Sequence, residues 1–232
     1  MNKLNILIID DSKAREFEGI KTTYVKELKK KLNEYDGEID ITILGKTYYT
    51  SCDAIIDINK PKISEKDYDI VIINLGINDC SPRLLNITYR NLLMKLPKHL
   101  GFIIRKFILR KYRKTLFKIF GKRLLVTPEE YEDNLIKIIK LLTIKKVILM
   151  TISPINAKLE NKLPGISINI LEFNNRLKKI DKKIDKVELF DCHKLISKIG
   201  PEKALIDGVH YYEDTCEKIA YNLNQIILKN ER

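Results

Sequence analysis

The stretch Asp69–Asp79, DIVIINLGIND, decides the fold of this chain. Its apolar stretch from Ile70 to Leu75, rich in β-branched residues and interrupted by Asn74, reads as a strand buried on both faces, the situation of an inner strand in a parallel sheet. Gly76 ends it. In parallel α/β sheets ligands bind outside the carboxyl ends of the strands, so Asn78 and Asp79 fall where side chains do chemistry.

Leu4–Ile9 is a second apolar run, interrupted by Asn5 and ended by the turn Asp10-Asp11-Ser12. From Lys13 to about Glu34 the residues Phe17, Ile20, Tyr24, Leu28 and Leu32 recur every three or four positions, which predicts one helix with a single buried face. Ile39–Leu44 is a further strand, stopped at Gly45, and Thr50–Ile58 suits a short helix. Downstream, Thr127-Pro128-Glu129-Glu130 opens a helix with Thr as cap, Pro first and acids in the first turn. Tyr131, Leu135, Ile138 and Leu142 form its apolar face. Val147–Ile152 and Val187–Phe190 are strands; Ile168 to about Ile184 and Glu213–Leu228 are helices. Strand and helix alternate, so the expected fold is α/β: a three-layer, doubly wound, flavodoxin-like sheet of five parallel strands in the order 2-1-3-4-5. One domain spanning 1–232 is expected, with an insertion at 83–127.

The chain has 232 residues, enough to bury a real core. No apolar run approaches the ~20 residues that cross a bilayer, and Asp10 and Asp11 cut off the N-terminal run, so a cytoplasmic location is expected. Cys52, Cys80, Cys192 and Cys216 lack CxxC or CxH spacing, which suggests reduced thiols rather than a zinc site. The net charge of +12 belongs to one segment: Arg83–Thr127 holds 13 Lys or Arg and no acid, against 30 basic and 31 acidic residues elsewhere. Any partner of opposite sign belongs to that segment too.

Acyl transfer by a serine needs a hydroxyl nucleophile, an imidazole to take its proton, a carboxylate to orient the imidazole, and donors aimed at the developing oxyanion. Ser12 offers the hydroxyl at a strand-to-helix turn, with its N–H at a helix N-terminus. His210 offers the base. Asp207, three residues earlier, can fold back onto Nδ1 of His210. The Asn78 amide and the Gly45 N–H complete a three-donor hole with Ser12. His99 and His193 are read as ordinary, non-catalytic histidines.

With Asp10-Asp11-Ser12 after strand one, Gly45 after strand two, Gly76-Ile77-Asn78-Asp79 after strand three and Asp207-Gly208-Val209-His210 near the C-terminus, the sequence resembles the SGNH hydrolases, also called the GDSL esterase family. The resemblance implies Ser12, Gly45, Asn78 and His210 as the name-giving residues, Asp207 as third member of the triad, Asp11, Gly76 and Asp79 in support, and no metal or cofactor. It departs at Asp10, where the family has Gly, and around Gly45. The implied activity is removal or transfer of a short acyl group, acetyl in particular, on a carbohydrate, of the kind associated with bacterial polysaccharide synthesis.

A rival of another class is a degenerate response-regulator receiver. Two acids after strand one and Thr151 after strand four have the receiver rhythm, but its acyl-phosphate position is Asn74 and no Lys-Pro follows strand five.

The segment 83–127 interleaves its cations with Leu92, Leu93, Leu96, Leu100, Ile103, Ile104, Phe107, Ile108, Leu116, Phe117 and Phe120. Leu100, Ile103, Ile104, Phe107 and Ile108 share one helical face, away from Arg105, Lys106 and Arg110. Two readings fit. One is a lid that packs its apolar face on the domain; the other is an interfacial helix on an anionic leaflet at the inner face of the membrane, where a lipid-linked glycan is the substrate. Long aliphatics instead of exposed stacking aromatics argue against nucleic acid.

Overall fold

A computed structural model describes residues 3–14, 22–33, 37–84, 95–97, 99–100, 111–121 and 123–229. Its centre is a five-stranded, all-parallel sheet in the order β2-β1-β3-β4-β5, as the alternation predicts. The strands are β1 (Lys3–Asp10), β2 (Glu38–Leu44), β3 (Tyr68–Asn74), β4 (Ile144–Met150) and β5 (Val187–Phe190).

Period-two alternation turns successive strand residues to opposite faces, and both faces are covered. Leu7, Ile9, Val71, Ile73, Val147 and Leu149 face the helices Ser51–Ile58, Pro128–Leu141 and Ile166–Lys183. Ile6, Ile8, Ile70, Ile72, Ile148 and Met150 face the helices Tyr24–Leu32, Cys192–Ile199 and Glu213–Leu228. Thr127 caps its helix through a reciprocal pair with Glu130, and Thr50 does the same with Asp53.

The first helix differs from the periodicity. Ser12–Ala14 is a 3-10 turn, and the α-helix that carries Tyr24, Leu28 and Leu32 starts at Tyr24, capped by the extended Thr23. Two local bonds account for these ends: Asp11 captures the Lys13 N–H, a turn that competes with helix, and Thr23 accepts from the Lys26 N–H and starts the helix. Phe17 and Ile20 lie outside the described residues, as do Leu92, Leu93, Ile103, Ile104, Arg105, Lys106, Phe107, Ile108 and Arg110 of the basic segment. Of that segment, Arg83 and Arg123 pair antiparallel by N–H···O bonds of 2.8 and 3.1 Å, and Arg113–Phe120 is a helix with Phe117 buried. Among the described residues no helix is long and apolar enough to cross a membrane.

Strand register places the site. Asp10 is opposite Asn74, and Ile9 is opposite Leu44, so the turns after β1, β2 and β3 open on one rim. Gly45 packs so closely there that a Cβ would stand 1.8 Å from the Asp10 carbonyl oxygen. Only glycine permits that approach.

Candidate active site

The loop Leu205–Tyr211, closed by an antiparallel bridge between its ends, carries Asp207 and His210 to this rim. The Ser12 Oγ lies 2.8 Å from His210 Nε2, and His210 Nδ1 lies 2.8 Å from Asp207 Oδ2. The other carboxylate oxygen of Asp207 accepts the backbone N–H groups of Val209 at 3.0 Å and His210 at 2.9 Å. Burial pushes this carboxyl up, but the His210 ring and the two N–H groups outweigh it and hold Asp207 well below the usual carboxylate range. It is therefore an anion at any ordinary pH, placed to keep the proton on Nδ1 and leave Nε2 open to the serine.

Asn78 follows Gly76, whose φ of 122° is open to glycine and whose Cβ would meet Ile152 and the Tyr131 hydroxyl below 3 Å. Asn78 Nδ2 donates to the Tyr49 carbonyl at 3.2 Å, which fixes the amide and leaves its second N–H for another acceptor. Asp79 touches neither Ser12 nor His210. It is buried, accepts the Ser51 N–H at 2.9 Å and the Ser51 hydroxyl at 2.7 Å, and so pins the turn after β3 to the following helix layer. Its burial raises the carboxyl to about 6 against those two donors.

The acids before Ser12 are placed where sequence reasoning did not look. Asp11 and Lys13 are both buried and form an ion pair at 2.8 Å. Asp10 is not beside the serine hydroxyl: its carboxyl turns inward, accepting from the Tyr24 hydroxyl and, at 2.8 Å, from the Asn74 amide. A signal existed, since Asp10 and Asn74 end adjacent strands in register. Burial, and next the neighbouring Asp11, drive the Asp10 carboxyl up to about 8, against Lys13, Tyr24 and Asn74. A carboxyl raised in the folded state stabilises fully below its unfolded value, near 4, and that contribution is lost as pH rises through about 8. Asp10→Asn removes the charge and keeps an acceptor, so its Tm relative to wild type is expected to climb as pH goes from about 5 to 9. A pH-independent difference in thermal melts counts against a protonated Asp10.

No family model matches the sequence, and no curated protein matches it either. Solved structures do match over nearly the whole chain. A lipase/acylhydrolase from Enterococcus faecalis is 19% identical, with 97% of this chain and 95% of that one covered and a TM-score of 0.59. An acetylxylan esterase from Geobacillus stearothermophilus is 18% identical over 97% and 94%, TM-score 0.62. An α/β hydrolase enzyme from the Lake Arreo metagenome is 18% identical over 97% and 96%, TM-score 0.62. The chain has the fold of these hydrolases.

Receivers share the sheet order, so the fold alone does not separate the two readings. The residues do. Asn74 is engaged with Asp10, Asp11 with Lys13, and Thr151 Oγ1 donates to Asp191 at 3.1 Å while accepting the His193 N–H at 2.8 Å. Each receiver-like position is thus bound to a neighbour inside the fold.

Proposed function

We propose that this chain is a serine esterase that removes, or transfers, a short acyl group on a carbohydrate through an acyl-Ser12 intermediate. The observation that carries the reading is the unbroken chain Ser12–His210–Asp207, with 2.8 Å at each link, on the rim of a fold shared with ester hydrolases. Ser12 Oγ attacks the acyl carbonyl as His210 Nε2 takes its proton. The Ser12 and Gly45 N–H groups and the Asn78 amide hold the oxyanion. Collapse expels the sugar oxygen, which receives the proton from His210, and water or a second hydroxyl then releases the acyl group by the same steps in reverse order. Hydrolysis and transfer share that intermediate and differ in the acceptor.

Acetyl on a sugar is supported by the acetylxylan esterases among the similar structures. A place in polysaccharide synthesis rests on the likeness of motifs given above. Labelling with a fluorophosphonate followed by peptide mapping tests the reading: the adduct is expected on Ser12, and a protein left unlabelled with its fold intact excludes the nucleophile.

A second part of the proposal concerns residues 83–127. The Arg83–Arg123 bridge starts and ends this segment a few residues from Asn78, so it leaves from the site's own rim. Its 13 cations suit an anionic leaflet, at roughly 1 kcal/mol for each near the surface. Co-sedimentation with anionic vesicles and not with neutral ones is expected; equal recovery with both argues for a lid without a membrane role.

A further inference from the structure

Ser12 and His210 are 198 positions apart in sequence, yet Ser12 Oγ and His210 Nε2 stand 2.8 Å from each other. Proton transfer needs such a spacing held closely, since a misplacement of about 1 Å can cost ~10² in rate. Residues beside the pair supply the hold. Asp10, two positions before Ser12, is buried, and its Oδ2 accepts the Tyr24 hydroxyl and, at 2.8 Å, the Asn74 amide. Tyr211, next after His210, is buried too, and its hydroxyl lies 2.7 Å from Ser153 Oγ after β4. The rings of Tyr24 and Tyr211 meet edge to face, with centroids 6.5 Å apart and planes at 76°. We infer that Tyr24 and Tyr211, resting on the esterase reading above, are positioning residues that set the distance between Ser12 Oγ and His210 Nε2, acting through Asp10 and the His210 loop.

Packing alone asks only for a ring at positions 24 and 211. Each hydroxyl is nevertheless bonded, and each bond leads to the end of a strand: Tyr24 to β1 through Asp10, Tyr211 to the turn after β4 through Ser153. The Tyr211 backbone also ends the bridge with Leu205 that closes the His210 loop, and the Ile206 N–H donates to the His210 carbonyl at 2.8 Å. A shift of the Tyr211 ring is therefore passed to the imidazole. The device belongs to this chain, because the SGNH pattern has Gly where Asp10 stands, and glycine has no side chain to accept the Tyr24 hydroxyl.

The test compares kcat and KM on p-nitrophenyl acetate, the rate of fluorophosphonate labelling at Ser12, and thermal melts. Tyr24→Phe and Tyr211→Phe each keep the ring and lose one hydroxyl. Each is expected to lower kcat and the labelling rate by roughly 10- to 100-fold, with KM within about twofold of wild type. Asp10→Ala should lose as much, and the double variant Tyr24→Phe/Asp10→Ala no more than the larger single loss, because the two residues form one link. Asp10→Asn keeps an acceptor for Tyr24 and should recover most of what Asp10→Ala loses. If Tyr24→Phe does not fold, Tyr211→Phe and Ser153→Ala test the path from its other end. Folded Phe variants that melt lower but turn over and label at the wild-type rate, or multiplicative losses in the double variant, overturn the positioning role and leave the esterase reading standing. A folded wild type that cleaves no ester and is not labelled at Ser12 overturns both.

Discussion

Ser12→Ala is expected to lower kcat for p-nitrophenyl acetate by about 10⁶, the loss seen when a serine nucleophile that works as a unit with its base is removed. The geometry explains why so much hangs on one oxygen. Ser12 Oγ contributes to the site through its bond to His210 Nε2, and that ring is in turn held by Asp207. Without the hydroxyl, base and carboxylate have no proton to move. The proposed oxyanion donors remain in this variant, so a residual rate ~10³ to ~10⁴ above water is expected. Stability should barely change, within about 0.5 kcal/mol, because Ser12 is half-exposed and alanine keeps the Cβ of a 3-10 turn whose nearby bonds belong to Asp11 and Lys13. Wild-type turnover in a folded Ser12→Ala protein would show that another group does the chemistry.

That such a prediction can be framed from residues alone shows which parts of this structure are local in sequence. β1 and β3 are legible because both faces of an inner strand are buried, so Ile6–Ile9 and Ile70–Ile73 are apolar at every position. Asp207 and His210 are legible because the carboxylate needs only a turn to reach the ring, and Gly76 because its conformation admits little else. The start of the first helix is not, although Tyr24, Leu28 and Leu32 sit on its buried face as their spacing says. A hydrophobic period cannot register that Asp11 takes the Lys13 N–H or that Thr23 caps. That misplacement hid the Asp10–Tyr24–Asn74 cluster, which joins a strand end, the first turn of a displaced helix and a second strand end. Polar pairs between distant elements leave no periodic trace; only the in-register strand ends could have suggested this one. The Asp11–Lys13 pair was hidden for another reason: its residues are two apart in sequence, but their burial is set by the packing of the layers.

Asp207→Asn should cost about 10⁴ in kcat with the loop still folded, and the hydrogen bonds say why. The Asp207 Oδ1 atom accepts from two backbone N–H groups, at 2.9 and 3.0 Å. In the amide only the carbonyl oxygen can serve there, so the NH₂ must take the place of Oδ2, 2.8 Å from His210 Nδ1. Facing a donor, Nδ1 becomes an acceptor, and the ring proton moves to Nε2, where it points at the Ser12 oxygen and cannot be replaced by the serine's own. The loss is therefore one of tautomer and charge rather than of position, and it should appear in kcat far more than in KM. It should also persist across pH 5 to 9: the Asp207 carboxyl, held below the usual range, stays ionised throughout that window, so the wild type has no Asp207 titration to converge on the variant. The double variant Ser12→Ala/Asp207→Asn should be no slower than Ser12→Ala alone, because an orienting carboxylate has no effect once the hydroxyl it serves is gone. Multiplicative losses in the double variant, or an Asp207→Asn enzyme within tenfold of wild type, would separate Asp207 from the catalytic chain and leave His210 oriented by something else.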